Sequence, residues 1–120
     1  MNTAVRERLT QAARAGQFVF TGELAEMLGL DLDDRVHQLE LVRVLDEIDR
    51  AELAEGRPML SAIAVRPDDH LPGPELALLG RELGVLHEGE DEAAFAQRQI
   101  RMVHETWREV PRYGEAEETV

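Results

Sequence analysis

The chain reads as a mainly α protein with a small β-sheet, an α+β fold. Apolar residues recur at helical spacing in five separate windows, and two short apolar runs rich in β-branched or aromatic residues, "QFVF" and "PMLSAIAVR", stand between them. With 120 residues, 43% of them hydrophobic, the chain is long enough to bury about two-thirds of its unfolded surface in one unassisted core.

Residues 3–15 make the first helix: Val5, Leu9 and Ala12 or Ala13 recur at helical spacing, and Gly16 ends it. "QFVF" is a short strand. Thr21 stands where an N-cap belongs, its hydroxyl placed to accept a free amide of the next turn. Leu24 rather than Glu follows three residues on, so the capping box is incomplete. "GELAEML" forms a short helix that Gly29 closes as a left-handed cap. Asp31, Asp33 and Asp34 precede a helix of about residues 34–55, near its positive end, where each carboxylate is stabilised by roughly 0.3–1 kcal/mol. Leu39, Leu41, Val42, Val44, Leu45 and Ile48 cover more than half of its circumference, which predicts a central helix with neighbours on two sides. Gly56 and Pro58 close it.

"PMLSAIAVR" is apolar on both faces and predicts a strand lying under helices or paired beside "QFVF", with turn residues following in "PDDHLPGP". Pro74 suits the first turn of a helix through "PELALLGRELG", where Gly80 costs up to about 1 kcal/mol relative to alanine. Asp91 caps a last helix to about Glu109, with Phe95, Ile100, Val103, Trp107 and Val110 inward. The expected organisation is one compact domain over residues 1–110 and a flexible acidic tail over 111–120.

The stretch "GELAEMLGLDLDDRVHQL" resembles the bihelical unit of the helix-turn-helix families. Ala25 and Gly29 hold the spacing of a small residue in the first helix and a glycine four residues later, with Leu24, Leu28 and Leu30 around them. Alanine lets the second helix approach, and glycine takes the positive φ of the turn. Val36 and Leu39 fill the second helix's inward positions, one residue later than in the tightest version of the motif. With "FVF" before and "MLSAIAV" after, the element order is similar to a winged helix over about residues 18–66. The resemblance implies a winged-helix-like N-terminal half followed by two C-terminal helices. Where such modules read DNA, the N-terminal residues of the second helix enter the major groove, here Arg35, His37 and Gln38.

Charge weighs against that use. The net charge is −12, and residues 17–56 carry three Arg against eleven acids, for −8. Asp31, Asp33 and Asp34 would meet phosphates beside Arg35, and like charges about 4 Å apart at a surface cost up to a few kcal/mol. Binding through counterion release needs a cluster of basic contacts that the motif does not hold. A field of this sign favours basic partners and repels nucleic acid and anionic membrane. The other basic feature is a stripe on the last helix, Arg98, Arg101, Arg108 and Arg112 with Trp107 near it. It reads either as a contact for phosphate or an acidic partner, or as a solvated face paired with Glu105 and Glu109, worth under about 1 kcal/mol per pair.

Enzyme chemistry finds no support. Cysteine and lysine are both absent, which removes disulfides, thiolate ligands, thiol nucleophiles and Schiff-base chemistry. The lone serine, Ser61, lies in an apolar run without a nucleophile elbow. His37, His70, His87 and His104 show no metal-ligand spacing, and "DDH" at 68–70 reads as a turn. No catalytic residue, cofactor or metal is expected. No apolar run approaches the roughly 20 residues of a membrane span, and the N-terminus has no continuous apolar h-region, so a cytoplasmic location is expected. Arg-only basic residues and abundant Ala, Leu and Gly suit a GC-rich bacterial gene.

These observations predict a small regulatory protein-binding module, antitoxin-, immunity- or inhibitor-like. Its acidic face, Glu23, Glu26, Asp31, Asp33, Asp34 and Glu40, would meet a basic and even nucleic-acid-binding partner protein. The alternatives are a winged-helix regulator, a homodimer that binds DNA through Arg35, His37, Gln38 and the basic ends of the chain, and a non-catalytic subunit of a larger enzyme complex.

Overall fold

The computed structural model describes residues 1–108. Helix α1 spans Thr3–Arg14, strand β1 Val19–Phe20, α2 Thr21–Leu28 and α3 Arg35–Ala54. A 3-10 turn at Leu60–Ile63 leads into β2, Ala64–Val65, followed by α4, Glu75–Glu82, and α5, Glu92–Trp107. The architecture is mainly α with a two-stranded sheet, in which β1 and β2 run parallel with Val19 opposite Ala64. Val110, Arg112 and the tail expected at 111–120 lie outside the described residues.

Local chemistry sets the helix ends. The Asn2 side chain accepts from Val5 N at 2.9 Å and opens α1. Asp34 and Asp91 do the same for α3 and α5, accepting from Val36 N and Ala94 N at 2.8 and 2.7 Å. Gly29 closes α2 at φ +68°, where a side chain would be strained. Thr21 is not the cap expected of it. The extended chain of β1 runs to Phe20, which holds the N-cap position without a side-chain bond, and Thr21 is already the first residue of α2.

The "PMLSAIAVR" segment is the centre of the core, but most of it is not a strand. Met59, Leu60, Ala62 and Ile63 are all fully buried, and α1, α3 and α5 pack against them. Each large apolar side chain so buried contributes roughly 1.5–3 kcal/mol. The segment's amides find partners on helices instead of in a ladder. Met59 N donates to Gln99 Oε1 at 3.0 Å, and Ser61 N donates to Asp49 Oδ1 at 2.9 Å. With those donors taken and Ala62 N turned back to Met59 O, only Ala64 and Val65 extend to pair with β1.

Helix α3 buries one stripe, Leu41, Val44, Ile48 and Glu52, which excludes the positions assigned to Val36 and Leu39. Counting back from Leu41 by helical steps reaches His37 and Asp34, so Val36 and Leu39 point elsewhere and are 70% and 51% exposed. The helix therefore has a packed neighbour on one side and an open flank where a second was expected.

Glu52 ends the buried stripe and is fully enclosed, accepting from Arg6 Nε at 2.7 Å and also from Arg57 Nε. The same two guanidiniums, with that of Arg14, lie 5.5–5.7 Å from the centre of the Trp107 ring, within cation–π range. Glu52→Ala is expected to destabilise the fold by about 2–4 kcal/mol, because it opens a cavity and strands two arginines. Both arginines are about one-third exposed and can recover water, which keeps the loss below that of a fully enclosed pair. Glu52→Gln, which keeps the volume and one acceptor, should lose less; equal urea midpoints for the wild type and Glu52→Ala would refute the role.

Candidate functional site

The open flank of α3 faces α4 across a groove of about 710 Å³. Leu39, Val42 and Leu45 lie along one wall, at successive turns of α3. Leu76, Leu78 and Leu79 of α4 form the other, Leu32 lies at the end where α3 begins, and the Pro72–Pro74 loop leads into α4. Leu78 is 58% exposed although both neighbours in its helix, Ala77 and Leu79, are buried. The exposed leucines on the two walls thus belong to one apolar channel. Leu39 and Leu78, each more than half exposed, make this channel the candidate interaction site.

Three acids and three arginines border the channel: Asp46, Glu75, Glu82, Arg35, Arg50 and Arg66. Arg50 pairs with Glu82, and Arg66 bonds Asp69 at 2.6 Å, outside the groove. Asp46 and Glu75 have no ion-pair partner within 4 Å among the described residues. Partial burial pushes the Asp46 carboxyl above its ordinary range; nearby Arg50 opposes this, and Glu75 and Glu82 add to it. Beneath them Ser61 forms part of the groove floor, its hydroxyl 2.5 Å from Asp49 Oδ2. Asp49 is fully buried, and burial raises its carboxyl to about 7.

The six acids singled out in the sequence spread around the α2–α3 corner. Asp31, Asp33 and Asp34 are exposed at the start of α3, next to the groove end formed by Leu32 and Arg35. Asp31 and Asp34 each use one oxygen to fix local backbone, accepting from Asp33 N and Val36 N. Glu26 is exposed on α2. Glu23 pairs with Arg8 and Glu40 with Arg43, and each carboxyl is held below its ordinary range by that guanidinium. The acidic face is thus contiguous with the groove at the α3 N-terminus, and two of its members are already neutralised.

The residues placed for DNA reading are engaged in building the corner. His37 Nδ1 accepts from Asp31 N at 2.8 Å, Gln38 Nε2 donates to Leu32 O at 2.6 Å, and Arg35 donates to Gln38 Oε1 at 3.3 Å. The arginines read as a stripe on the last helix differ in their surroundings. Arg98 folds back, donating to Glu90 at 2.8 and 2.9 Å and to Val85 O at 2.7 Å, while Arg101 and Arg108 are exposed. Trp107 faces the arginines around Glu52, and Arg112 lies outside the described residues.

The Arg98 guanidinium holds the Glu90 carboxyl down to about 2. A depressed folded value means that the pair contributes fully above the ordinary 4.5 and less as pH falls through about 2. Glu90→Gln should therefore lower the melting temperature at pH 6, with the deficit shrinking toward pH 2. A deficit independent of pH would show that the charge is not what matters.

Sequence reasoning missed the groove. Its signal was the apolar circumference of α3, too broad for one stripe, together with Leu78 beside the buried positions of α4. Asp49 was missed as well, since its sequence neighbours suggest one more exposed acid. Among the described residues no three His, Asp or Glu side chains converge as metal ligands, and no helix is long and apolar enough to cross a membrane. Comparison of the chain with protein-family models, curated proteins and solved structures finds no match.

Proposed function

We propose that this protein is a small protein-binding regulator, antitoxin-, immunity- or inhibitor-like, that engages a basic partner protein through the α2–α3 corner and the groove beside it. The observation that carries the reading is the apolar channel between α3 and α4, contiguous with exposed carboxylates at the start of α3. Carboxylates such as Asp31, Asp33 and Asp34 speed encounter with a cationic surface and select against acidic ones. A channel lined by Leu39, Val42, Leu45 and Leu78 supplies what charge alone does not, a place for a few buried anchors that set the lifetime of the complex.

The DNA-reading alternative draws on the Ala25–Gly29 corner, where Ala25 is buried and Gly29 takes the left-handed turn. It gains little support from His37 and Gln38, which bond Asp31 N and Leu32 O within the corner, and leaves Arg35 as the one exposed cation among the three.

The test is co-purification with tagged full-length protein at about 50 mM and about 500 mM salt, alongside a variant with Asp31, Asp33 and Asp34 changed to Asn. The expected result is one basic protein, retained at low salt, weakened at high salt and reduced with the variant. Equal recovery by the two proteins at both salt concentrations, or a specific complex with genomic DNA fragments at submicromolar protein, would overturn the reading.

A further inference from the structure

We propose that the groove between α3 and α4 receives an amphipathic α-helix of the partner, laying its apolar stripe on Leu39, Val42, Leu45 and Leu78 and directing a Lys or Arg to Asp46 and Glu75. This deepens the partner-binding reading and rests on it.

Shape selects a helix. Both walls are helices: α3 lines the groove from Arg35 to Arg50, and α4 faces it from Glu75 to Glu82, seven helical steps of 1.5 Å or about 10 Å, the length of roughly two turns of an incoming helix. An added strand would need an exposed sheet edge to template it. The described sheet offers two residues per strand, and Ala64 of β2 lies at the groove floor rather than along its lip. A small apolar molecule would fill part of the channel and leave its lips in water, with Leu39 and Leu78 both more than half exposed. A helix resting on both lips covers them, through side chains at i, i+3 or i+4, and i+7.

Charge selects a basic flank. Glu82 is satisfied by Arg50 and Arg66 by Asp69, which leaves Asp46 and Glu75, among the described residues, as the groove's carboxylates without an ion pair and Arg35 as the cation at the opposite end. Glu75 and Glu82 act on the Asp46 carboxyl against the opposing pull of Arg50, so a cation added at this end of the groove offsets a like-charge repulsion. The same reasoning disfavours a second copy of this chain. Its net charge is −12, so a second copy would approach as a like-charged body.

The test uses the full-length protein and a fluorescein-labelled 18-residue peptide, with Leu at i, i+3/i+4 and i+7 and Lys on the flanks. A scrambled peptide of the same composition serves as the control, and anisotropy and circular dichroism as readouts. We expect binding below about 100 µM with a gain in helicity, and the scrambled peptide at least about tenfold weaker. Leu78→Gln, at an exposed site that does not threaten folding, should weaken binding about tenfold. Asp46→Asn should weaken it about threefold at 50 mM salt and less at 500 mM salt. Equal, salt-sensitive binding of both peptides, unaffected by Leu78→Gln, would overturn the helix-in-groove inference and leave the acidic partner-binding reading standing. Failure of both peptides to bind at low salt would also overturn the helix-in-groove inference, while the co-purification experiment decides the partner-binding reading separately.

Discussion

Asp49→Asn makes the protein more stable at pH 8, by between about 1 and 4 kcal/mol, and leaves it nearly unchanged at pH 4. The Asp49 side chain is 1% exposed on the inner side of α3, and burial raises its carboxyl from 3.8 to about 7. The two hydrogen bonds from Ser61 oppose the rise, whereas the neighbouring Asp46 and Glu52 add to it. Below pH 4 the group is protonated whether the chain is folded or not, and it contributes no pH dependence. Between pH 4 and 7 the unfolded chain loses this proton and the folded chain keeps it. The unfolded state then binds fewer protons, so stability falls with rising pH until the folded carboxyl also ionises. At about 1.4 kcal/mol per pH unit the full interval is worth about 4 kcal/mol, an upper bound because polar groups near the groove floor can relax around the charge.

Asparagine is the right probe because it mimics the neutral acid. Its Oδ1 can accept from Ser61 N as Asp49 does at 2.9 Å, and its Nδ2 can donate to the Ser61 hydroxyl. Urea unfolding of both proteins from pH 4 to 8 checks the claim. A stability difference that does not grow with pH would mean that Asp49 is charged throughout.

Residues whose role is local were legible in the sequence. Gly16, Gly29 and Gly56 end their helices at φ +68°, +68° and +77°, where glycine is the unstrained choice, and Asp34 and Asp91 cap α3 and α5. Asp31 and Asp34 were legible for the same reason: short acids at a helix start stay exposed while accepting from backbone amides, here Asp33 N and Val36 N. Contacts between distant positions were not. Nothing within "PMLSAIAVR" says that Gln99, forty residues on, takes the Met59 amide, yet that bond and the Asp49 bond to Ser61 replace the strand with a 3-10 turn. Glu23 looked like a free carboxylate because Arg8 is fifteen residues away in the chain. The groove was half legible. Six apolar residues on α3 required a second neighbour, and periodicity cannot tell a neighbour within the chain from one that has yet to bind.

Gly80→Ala is expected to destabilise the protein by about 1–3 kcal/mol, although alanine is the better helix former by up to about 1 kcal/mol. The reason lies across the α4–α5 contact. A Cβ on Gly80 would fall 2.4 Å from Phe95 Cζ and 2.7 Å from its Cε2, and the Phe95 ring is fully buried. The ring cannot swing into solvent, so either α4 moves or the ring leaves its rotamer well. Phe95→Leu in the same background should relieve the clash. A double-mutant cycle over the four proteins is expected to show coupling of at least about 1 kcal/mol, with Gly80→Ala better tolerated when residue 95 is leucine. Additive losses would place the cost in the helix itself. The substitution also reaches the groove, because α4 carries Leu78 and Leu79 on the turn that holds Gly80. If α4 shifts to accommodate the methyl group, peptide affinity falls with stability, and the Phe95→Leu background should restore both; a recovery of stability alone would separate the wall of the groove from the packing behind it.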